Sequence, residues 1–367
     1  MKKGDRFRSV AILGGAGFIG SNLAHFLLAT TDAKVHVFDN LSRPGVRCNL
    51  DSLQRAAGNS GRLQITIGDV RDAAMVERVL RHATEVYHFA AQVAVTTSVS
   101  DPRLDFEVNL MGTLNVLEAI RKHGRRPFLL YTSTNKVYGE MAPHQVVMRN
   151  TRWEYESGSG IDESEPLDFH SPYGCSKGAA DQYVRDYSRI YGIPTVVFRM
   201  SCVAGARQFG NEDQGWVAHF LYSALSGTPI VIYGDGRQVR DVLCVDDLVR
   251  AMQAVRERPE VTAGQIYNVG GGRQNTTSLL ELMDSIEALT GRRIQHHFAK
   301  ARPGDQLVYV TDTSKLTHDT GWEAKITVRQ TLERIHDFWK RNRDVFEPAT
   351  QWERTPAAAL QEMPGAA

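Results

Sequence analysis

Cysteine is scarce in this chain and never clustered. Among 367 residues there are four, Cys48, Cys175, Cys202 and Cys244, and no two form a Cys-x-x-Cys. That argues against a thiolate zinc site and a disulfide framework, and reads as incidental thiols in a reducing cytoplasm. Excess charge of one sign is also missing: 43 Lys and Arg oppose 42 Asp and Glu, for a formal net charge of +1. Neither nucleic acid nor an anionic membrane is therefore expected as a partner. No apolar run approaches the roughly 18 residues of a spanning helix. The charged start, Met1-Lys2-Lys3-Gly4-Asp5-Arg6, shows no signal-peptide pattern. The pair His296-His297 has no further ligand at metal spacing, so no metal site is expected.

What is present is alternation. Short β-branched runs at 10–13, 35–38, 63–67, 86–89, 128–131 and 195–199 take turns with amphipathic stretches at 20–29, 75–81, 110–122 and 173–191. This order predicts an α/β fold, a Rossmann-type doubly wound parallel sheet covered on both faces. The expected Rossmann domain spans 1–205, with a polar, irregular insert at about 141–165. A smaller α+β substrate-binding region follows at 206–345, interleaved with the first. Residues 346–367 lack apolar periodicity and read as a mobile tail. Asp246-Asp247 is expected to cap a helix.

Gly14-Gly15-Ala16-Gly17-Phe18-Ile19-Gly20 follows the first strand and opens the first helix. Missing side chains there let the backbone approach a pyrophosphate, which the free N–H groups of the helix then bind. Asp39 ends the second strand, about twenty residues on, where a carboxylate bonds the ribose 2′-hydroxyl and repels a 2′-phosphate. That favours NAD over NADP, a preference that nearby Arg43 tempers.

Tyr173 and Lys177 stand four apart on a helical stretch, hence on one face. Alone, such a pair is an ordinary surface pair. Downstream of a dinucleotide fingerprint it reads as an acid–base tyrosine. A phenol titrates near about 10 and is a weak base at neutral pH. A neighbouring ammonium and the positive charge of an oxidised nicotinamide both favour the phenolate. Thr134, closing the run 128–133, can hydrogen-bond the reacting hydroxyl.

These motifs, together with Gly68-Asp69-Val70, Phe89-Ala90-Ala91, Asn109, Ser133-Thr134, Val137-Tyr138-Gly139 and Arg199, resemble the extended short-chain dehydrogenase/reductases, the nucleotide-sugar epimerases and dehydratases. The likeness covers about residues 8–340. It implies that Asp39 and Asn40 hold the adenosine ribose and that Asp69 and Val70 contact the adenine. Phe89, Ala90 and Ala91 would line the pyrophosphate and the nicotinamide ribose, which Lys177 also bonds. Thr134 falls on the catalytic Ser/Thr. A homo-oligomer, dimer or tetramer, is implied on helices around 110–122 and 173–191.

Longer strings resemble one branch more closely, the epimerases that invert C2 of CDP-linked 3,6-dideoxyhexoses. They are Ser133-Thr134-Asn135-Lys136, Asp168-Phe169-His170-Ser171-Pro172-Tyr173, Asp213-Gln214-Gly215-Trp216 and Gln238-Val239-Arg240-Asp241. The implied partner is a nucleotide sugar, with a CDP-sugar favoured. Arg207, Arg240 and Arg302 would hold its diphosphate. Asn135, Lys136, His170 and Gln214 would line its pocket. Similar dehydratases carry Asp-Glu where Asn135-Lys136 stands, so no acid–base pair for expelling water is expected. A C4 ketone does not acidify the C2 hydrogen, which leaves direct oxidation at C2. A 4-epimerase of a UDP-hexose or UDP-uronic acid remains open, as do a net oxidoreductase and a non-catalytic NAD-sensing scaffold.

Overall fold

The computed structural model describes residues 8–141, 143–158, 160–301 and 305–346. Arg302 and the tail beyond residue 346 lie outside the described residues. Among the described residues fifteen strands occur in chain order. They are β1 (Ser9–Leu13), β2 (Lys34–Asp39), β3 (Leu63–Ile67), β4 (Glu85–His88), β5 (Phe128–Thr134), β6 (Val146–Arg149), β7 (Arg152–Tyr155), β8 (Thr195–Met200), β9 (Cys202–Ala204), β10 (Ile230–Tyr233), β11 (Val239–Cys244), β12 (Gln265–Val269), β13 (Thr276–Ser278), β14 (His296–Ala299) and β15 (Val308–Tyr309).

β1 shows why the main sheet is central. Val10 and Ile12 pack with Leu23, Leu27 and Val35 on one face, while Ala11 and Leu13 pack with Phe38, Val86 and Val116 on the other. A strand apolar on both faces has to be covered on both, which requires crossover helices and therefore parallel neighbours. Seven strands meet that condition in the order β3-β2-β1-β4-β5-β8-β12, every adjacent pair parallel. Burying one large aliphatic side chain such as Ile12 or Leu13 contributes about 1.5–3 kcal/mol.

The helices that position the site are α1 (Phe18–Thr30), α2 (Val46–Ala57), α3 (Ala73–Leu80), α4 (Val95–Ser100), α5 (Pro102–Phe106), α6 (Gly112–Lys122) and α7 (Pro172–Tyr191). A π-helical turn, Glu107–Met111, joins α5 to α6. In the second lobe, α8 (Trp216–Ser226) centres a separate core with Ile230, Val242, Leu282 and Ile335. The chain then returns: β12, well past residue 205, completes the edge of the main sheet beside β8. Among the described residues no helix is long and apolar enough to cross a membrane.

Three expectations need correction. The stretch 141–165 is not irregular throughout: β6 and β7 pair as an antiparallel hairpin, and Val146, Trp153 and Tyr155 pack on Val239, Val308 and Val310. Each strand is only four residues long and carries charge, which hides its period from a sequence reading. Asp247 does not cap α9 (Val245–Arg256), whose N-cap is Cys244. Fully buried, it accepts from the Lys325 and Ile326 amides (2.7 and 2.8 Å) and pairs with Arg250. Finally, α2 stands where the sequence pattern suggests no element.

One buried ion pair locks α7 to the sheet. Asp181 accepts from Arg199 Nε on β8 (2.8 Å), from Ser133 Oγ on β5 (3.1 Å) and from Gln182 Nε2 (2.6 Å). Removing one member of such a pair strands the other charge, so Asp181→Ala should cost about 3–5 kcal/mol. Urea denaturation of the variant against the parent measures this, and a loss below about 1 kcal/mol would mean that water reaches Arg199.

Candidate active site

The strand order reverses between β1 and β4, opening a crevice at their C-terminal ends. Gly14 turns there at φ +78° and donates to the Phe38 carbonyl (2.8 Å), while Phe89 and Ala90 both donate to the Leu13 carbonyl (2.8 and 2.9 Å). A Cβ on Gly14 would lie 2.6 Å from the Ala90 nitrogen, and one on Gly20 only 2.3 Å from the Gly14 oxygen. The glycines thus bring the loop of β1 against the Phe89-Ala90-Ala91 segment. Among the described residues no side chain caps α1 at Gly17, so the first-turn amides of Phe18, Ile19 and Gly20 suit an anion.

Asp39 completes the crevice from β2. Its Oδ2 accepts from the Ala16 amide (3.0 Å) and its Oδ1 from the Leu41 amide (2.9 Å), and burial raises its pKa. Asn40 Nδ2 donates to Asp69 Oδ2 (3.0 Å), which joins the ends of β2 and β3. Asp69 is also paired with Arg71 (2.9 Å), and the neighbouring Val70 is buried. These residues fit a dinucleotide: a turn without side chains, uncapped amides for a pyrophosphate, and a carboxylate and an amide for a ribose.

The reacting groups come from α7 and β5. Ser171 caps α7, its Oγ accepting from the Gly174 amide (3.0 Å), and Pro172 takes the first turn, where its missing N–H costs nothing. Tyr173, Lys177 and Asp181 then succeed one another down the buried face. Lys177 Nζ donates to the Thr132 carbonyl (2.6 Å) and lies 4.2 Å from the centroid of Tyr131. Burial brings its pKa down to about 7, against the pull of Asp181 and Asp105. Burial also pushes the Tyr173 phenol up to about 12. The Thr134 hydroxyl and the Arg43 charge favour its ionised form, while Asp105 opposes it. Lys177 is thus engaged by a main-chain carbonyl, and the Arg43 charge acts on the phenol.

Behind these groups, the π-helical turn aims Asn109 inward. Its Nδ2 meets Asp105 Oδ1, the Gln92 carbonyl and Ser176 Oγ, all at 3.0 Å, and its Oδ1 accepts from the Gln92 amide (2.9 Å). Asp105, whose charge acts on both Tyr173 and Lys177, has no sequence motif of its own.

The residues expected to hold substrate divide into groups. Lys136 and Arg240 converge on Asp305, Lys136 Nζ at 3.5 Å and Arg240 Nη2 at 2.7 Å. Asn135 Nδ2 donates to Gln306 Oε1 (3.3 Å). His170 sits on the exposed rim between Asp168 (2.8 Å) and Glu140 (3.3 Å), which raise its pKa. Gln214 accepts from Arg43, so it faces the loop after β2. Arg207 is drawn to α1: its Nη1 donates to Asn22 Oδ1 (3.0 Å) and its carbonyl accepts from Asn49 Nδ2 (3.2 Å). The structure does not bring it to the group around Asp305. Arg302 falls outside the described residues. Asp305 and Gln306 were missed, because nothing in their spacing points to Asn135 or Lys136.

The family described as GDP-mannose 4,6 dehydratase matches residues 11–335. A CDP-paratose 2-epimerase of Salmonella typhi is 41% identical over 335 residues, covering 89% of this chain and 98% of that protein. Among solved structures, the UDP-glucuronic acid 4-epimerase from Bacillus cereus, in complex with UDP-glucuronic acid and NAD, superposes with a TM-score of 0.79 at 28% identity, covering 91% of this chain and 99% of that one. DesIV, a dTDP-glucose 4,6-dehydratase from Streptomyces venezuelae solved with NAD bound, also gives 0.79, at 30% identity, covering 93% and 99%.

The enclosure of Lys177 carries a pH signature. Its pKa falls from 10.5 to about 7 on folding. Below about 7 both states hold the proton and the destabilisation is full; between the two values the unfolded chain holds one proton more, so stability rises with pH. In the ligand-free protein, the stability of the parent minus that of Lys177→Met should therefore climb between pH 7 and pH 10. Denaturant titrations across that range test it, and a flat difference would place the ammonium in water.

Proposed function

This chain belongs to the GDP-mannose 4,6 dehydratase family of nucleotide-sugar epimerases and dehydratases, and within that family we propose that it is an NAD-dependent epimerase inverting C2 of a CDP-3,6-dideoxyhexose, CDP-paratose to CDP-tyvelose. The observation that carries this reading is the residue pair immediately C-terminal to Thr134. Asn135 is engaged with Gln306, and Lys136 with Asp305. An amide and an ammonium cannot supply the acid and base that elimination of water needs. The 41% identity to a CDP-paratose 2-epimerase supports C2 as the carbon inverted.

NAD, when bound in the crevice of β1, β2 and β4, supplies a reversible two-electron acceptor and a positive charge that favours the phenolate. Tyr173 takes the proton of the C2 hydroxyl, and Thr134 holds that oxygen in place. Lys177 keeps the ribose side of the crevice cationic, and Asp39 selects a ribose with a free 2′-hydroxyl. The 2-keto sugar turns over, and Tyr173 returns the proton as the opposite face is reduced. Net redox change is zero, so the cofactor stays bound through turnover. Arg240 and Lys136, already gathered on one carboxylate, offer the charge that a diphosphate requires. Exposed Phe106, Met111, Tyr183 and Ile190 along α5–α7 suit the surface of a homo-oligomer.

NMR of a panel of CDP-, UDP- and GDP-sugars tests this reading. Inversion at C2 of a CDP-sugar is expected, whereas inversion at C4 of a UDP-sugar would make the chain a 4-epimerase. Tyr173→Phe should lower kcat by about 10²–10⁴, and a substrate deuterated at C2 should keep its label. Complete washout would sink the C2 route in favour of enolisation.

Arg240→Ala should weaken sugar-nucleotide binding about 10–100-fold, the worth of one charged hydrogen bond, and leave NAD affinity within a factor of about two. Calorimetry with each ligand separates the two effects, and equal loss of both would refute the assignment.

A further inference from the structure

The hydrogen bonds around Thr134 form a single chain whose direction is set at one end. The carbonyl of Gly139 can only accept, so Gln306 Nε2 donates to it (2.6 Å). Gln306 Oε1 is thereby turned to Asn135, whose Nδ2 donates to it (3.3 Å). Asn135 Oδ1 is then turned to Thr134 and accepts a hydrogen bond from its hydroxyl at 3.4 Å. On its other side, Thr134 Oγ1 accepts from the Lys136 amide (3.2 Å). Reversing any amide would set two donors or two acceptors against each other.

Backbone geometry secures the anchoring end. Gly139 has φ +68°, and a Cβ there would lie 2.1 Å from the Asp168 oxygen. Only glycine fits, and its carbonyl direction is fixed with it. Gln306 is 1% exposed and reaches the site from the far end of the sequence. Thr134 Oγ1 also hydrogen-bonds Tyr173, so its proton is contested between the Asn135 amide oxygen and the phenol. It can accept from an alcohol, then swing its proton from Asn135 to a ketone at the same place.

We propose that Gln306 is a positioning residue: by holding the Asn135 amide in one orientation, it sets the direction of the Thr134 hydroxyl, so that Thr134 accepts from the sugar alcohol and donates to the ketone. This rests on the epimerase reading above, with Thr134 and Tyr173 at the reacting carbon. Released from Gln306, Asn135 turns its Nδ2 towards Thr134 and donates to it, so it no longer competes for the hydroxyl proton. The hydroxyl then has only its proton to offer, and Tyr173 is its nearest taker.

The test uses Gln306→Met, close to glutamine in length but without a strong donor or acceptor, in parent and Thr134→Val backgrounds. The Tyr173 phenol is monitored in the sugar-free protein by NMR of ¹³Cζ-labelled tyrosine, assigned with Tyr173→Phe. In Gln306→Met it should titrate roughly half to one pH unit lower, the worth of one neutral hydrogen bond. With Val at 134, the same change should do nothing. Asn135→Leu removes the same acceptor and should reproduce the shift, which decides the matter if Gln306→Met does not fold. In turnover, Gln306→Met should lower kcat about tenfold with KM within about threefold. An unmoved phenol, or the same shift without Thr134, overturns the proposal. If the parent turns over no sugar nucleotide, the epimerase reading falls, and the titration still decides what Gln306 does to Thr134.

Discussion

An ammonium shut away from water has to find oxygen inside the protein, and Lys177 imposes that demand on everything near it. Its one hydrogen bond goes to the Thr132 carbonyl, so α7 must sit where β5 ends. Asp181 and Asp105 oppose its charge from two sides. Each is enclosed in turn: Asp181 is satisfied by Arg199 and Ser133, Asp105 by Ser176, Gln92 and Asn109. A polar seam results where a core would ordinarily be apolar, tying α7 to β5, β8 and the π-helical turn. Tyr173, one helical turn above Lys177, inherits these surroundings.

Much of the main sheet was legible because its signals are local. β3 stands at the bounds that its apolar run suggests, and the glycines announce the turn between β1 and α1. Asp39 was legible because its distance from those glycines is a consequence of one β–α–β unit. The hairpin of β6 and β7 was not, since its apolar face is made by β11 and β15, which lie far along the chain. Nor was the partner of Lys177 legible: a main-chain carbonyl carries no side-chain signature. Asp305 and Gln306 meet Lys136 and Asn135 across about 170 residues, and such a meeting is written only in the folded topology. Arg207 shows the converse, for its Nη1 contact with Asn22, away from the group around Asp305, has no signal in the sequence.

The cofactor crevice and the second lobe are coupled through asparagines. Asn22 donates to the Ala206 carbonyl (2.9 Å) from α1, and Asn49 donates both to Ala16 and to Arg207 (each 3.2 Å) from α2. Arg43 and Gln214 add a bond between the loop after β2 and the loop before α8. The segment 206–214 is therefore fastened to the helices on either side of the glycine turn. Such fastening suits chemistry in which electrons leave the sugar and come back, because a cofactor that ends each cycle as it began has no need of an exit.

The return of the chain to the main sheet at β12 bears on how the two lobes are held together. Residues 201–264 are stitched into that sheet at both ends, so this part of the second lobe is not a door on one hinge. Under the proposed inversion at C2, turning one sugar face for the other is then work for the ligand, pivoting about its own diphosphate. The folded protein has to keep room for that pivot, and a tighter grip on either sugar would hinder passage to the other.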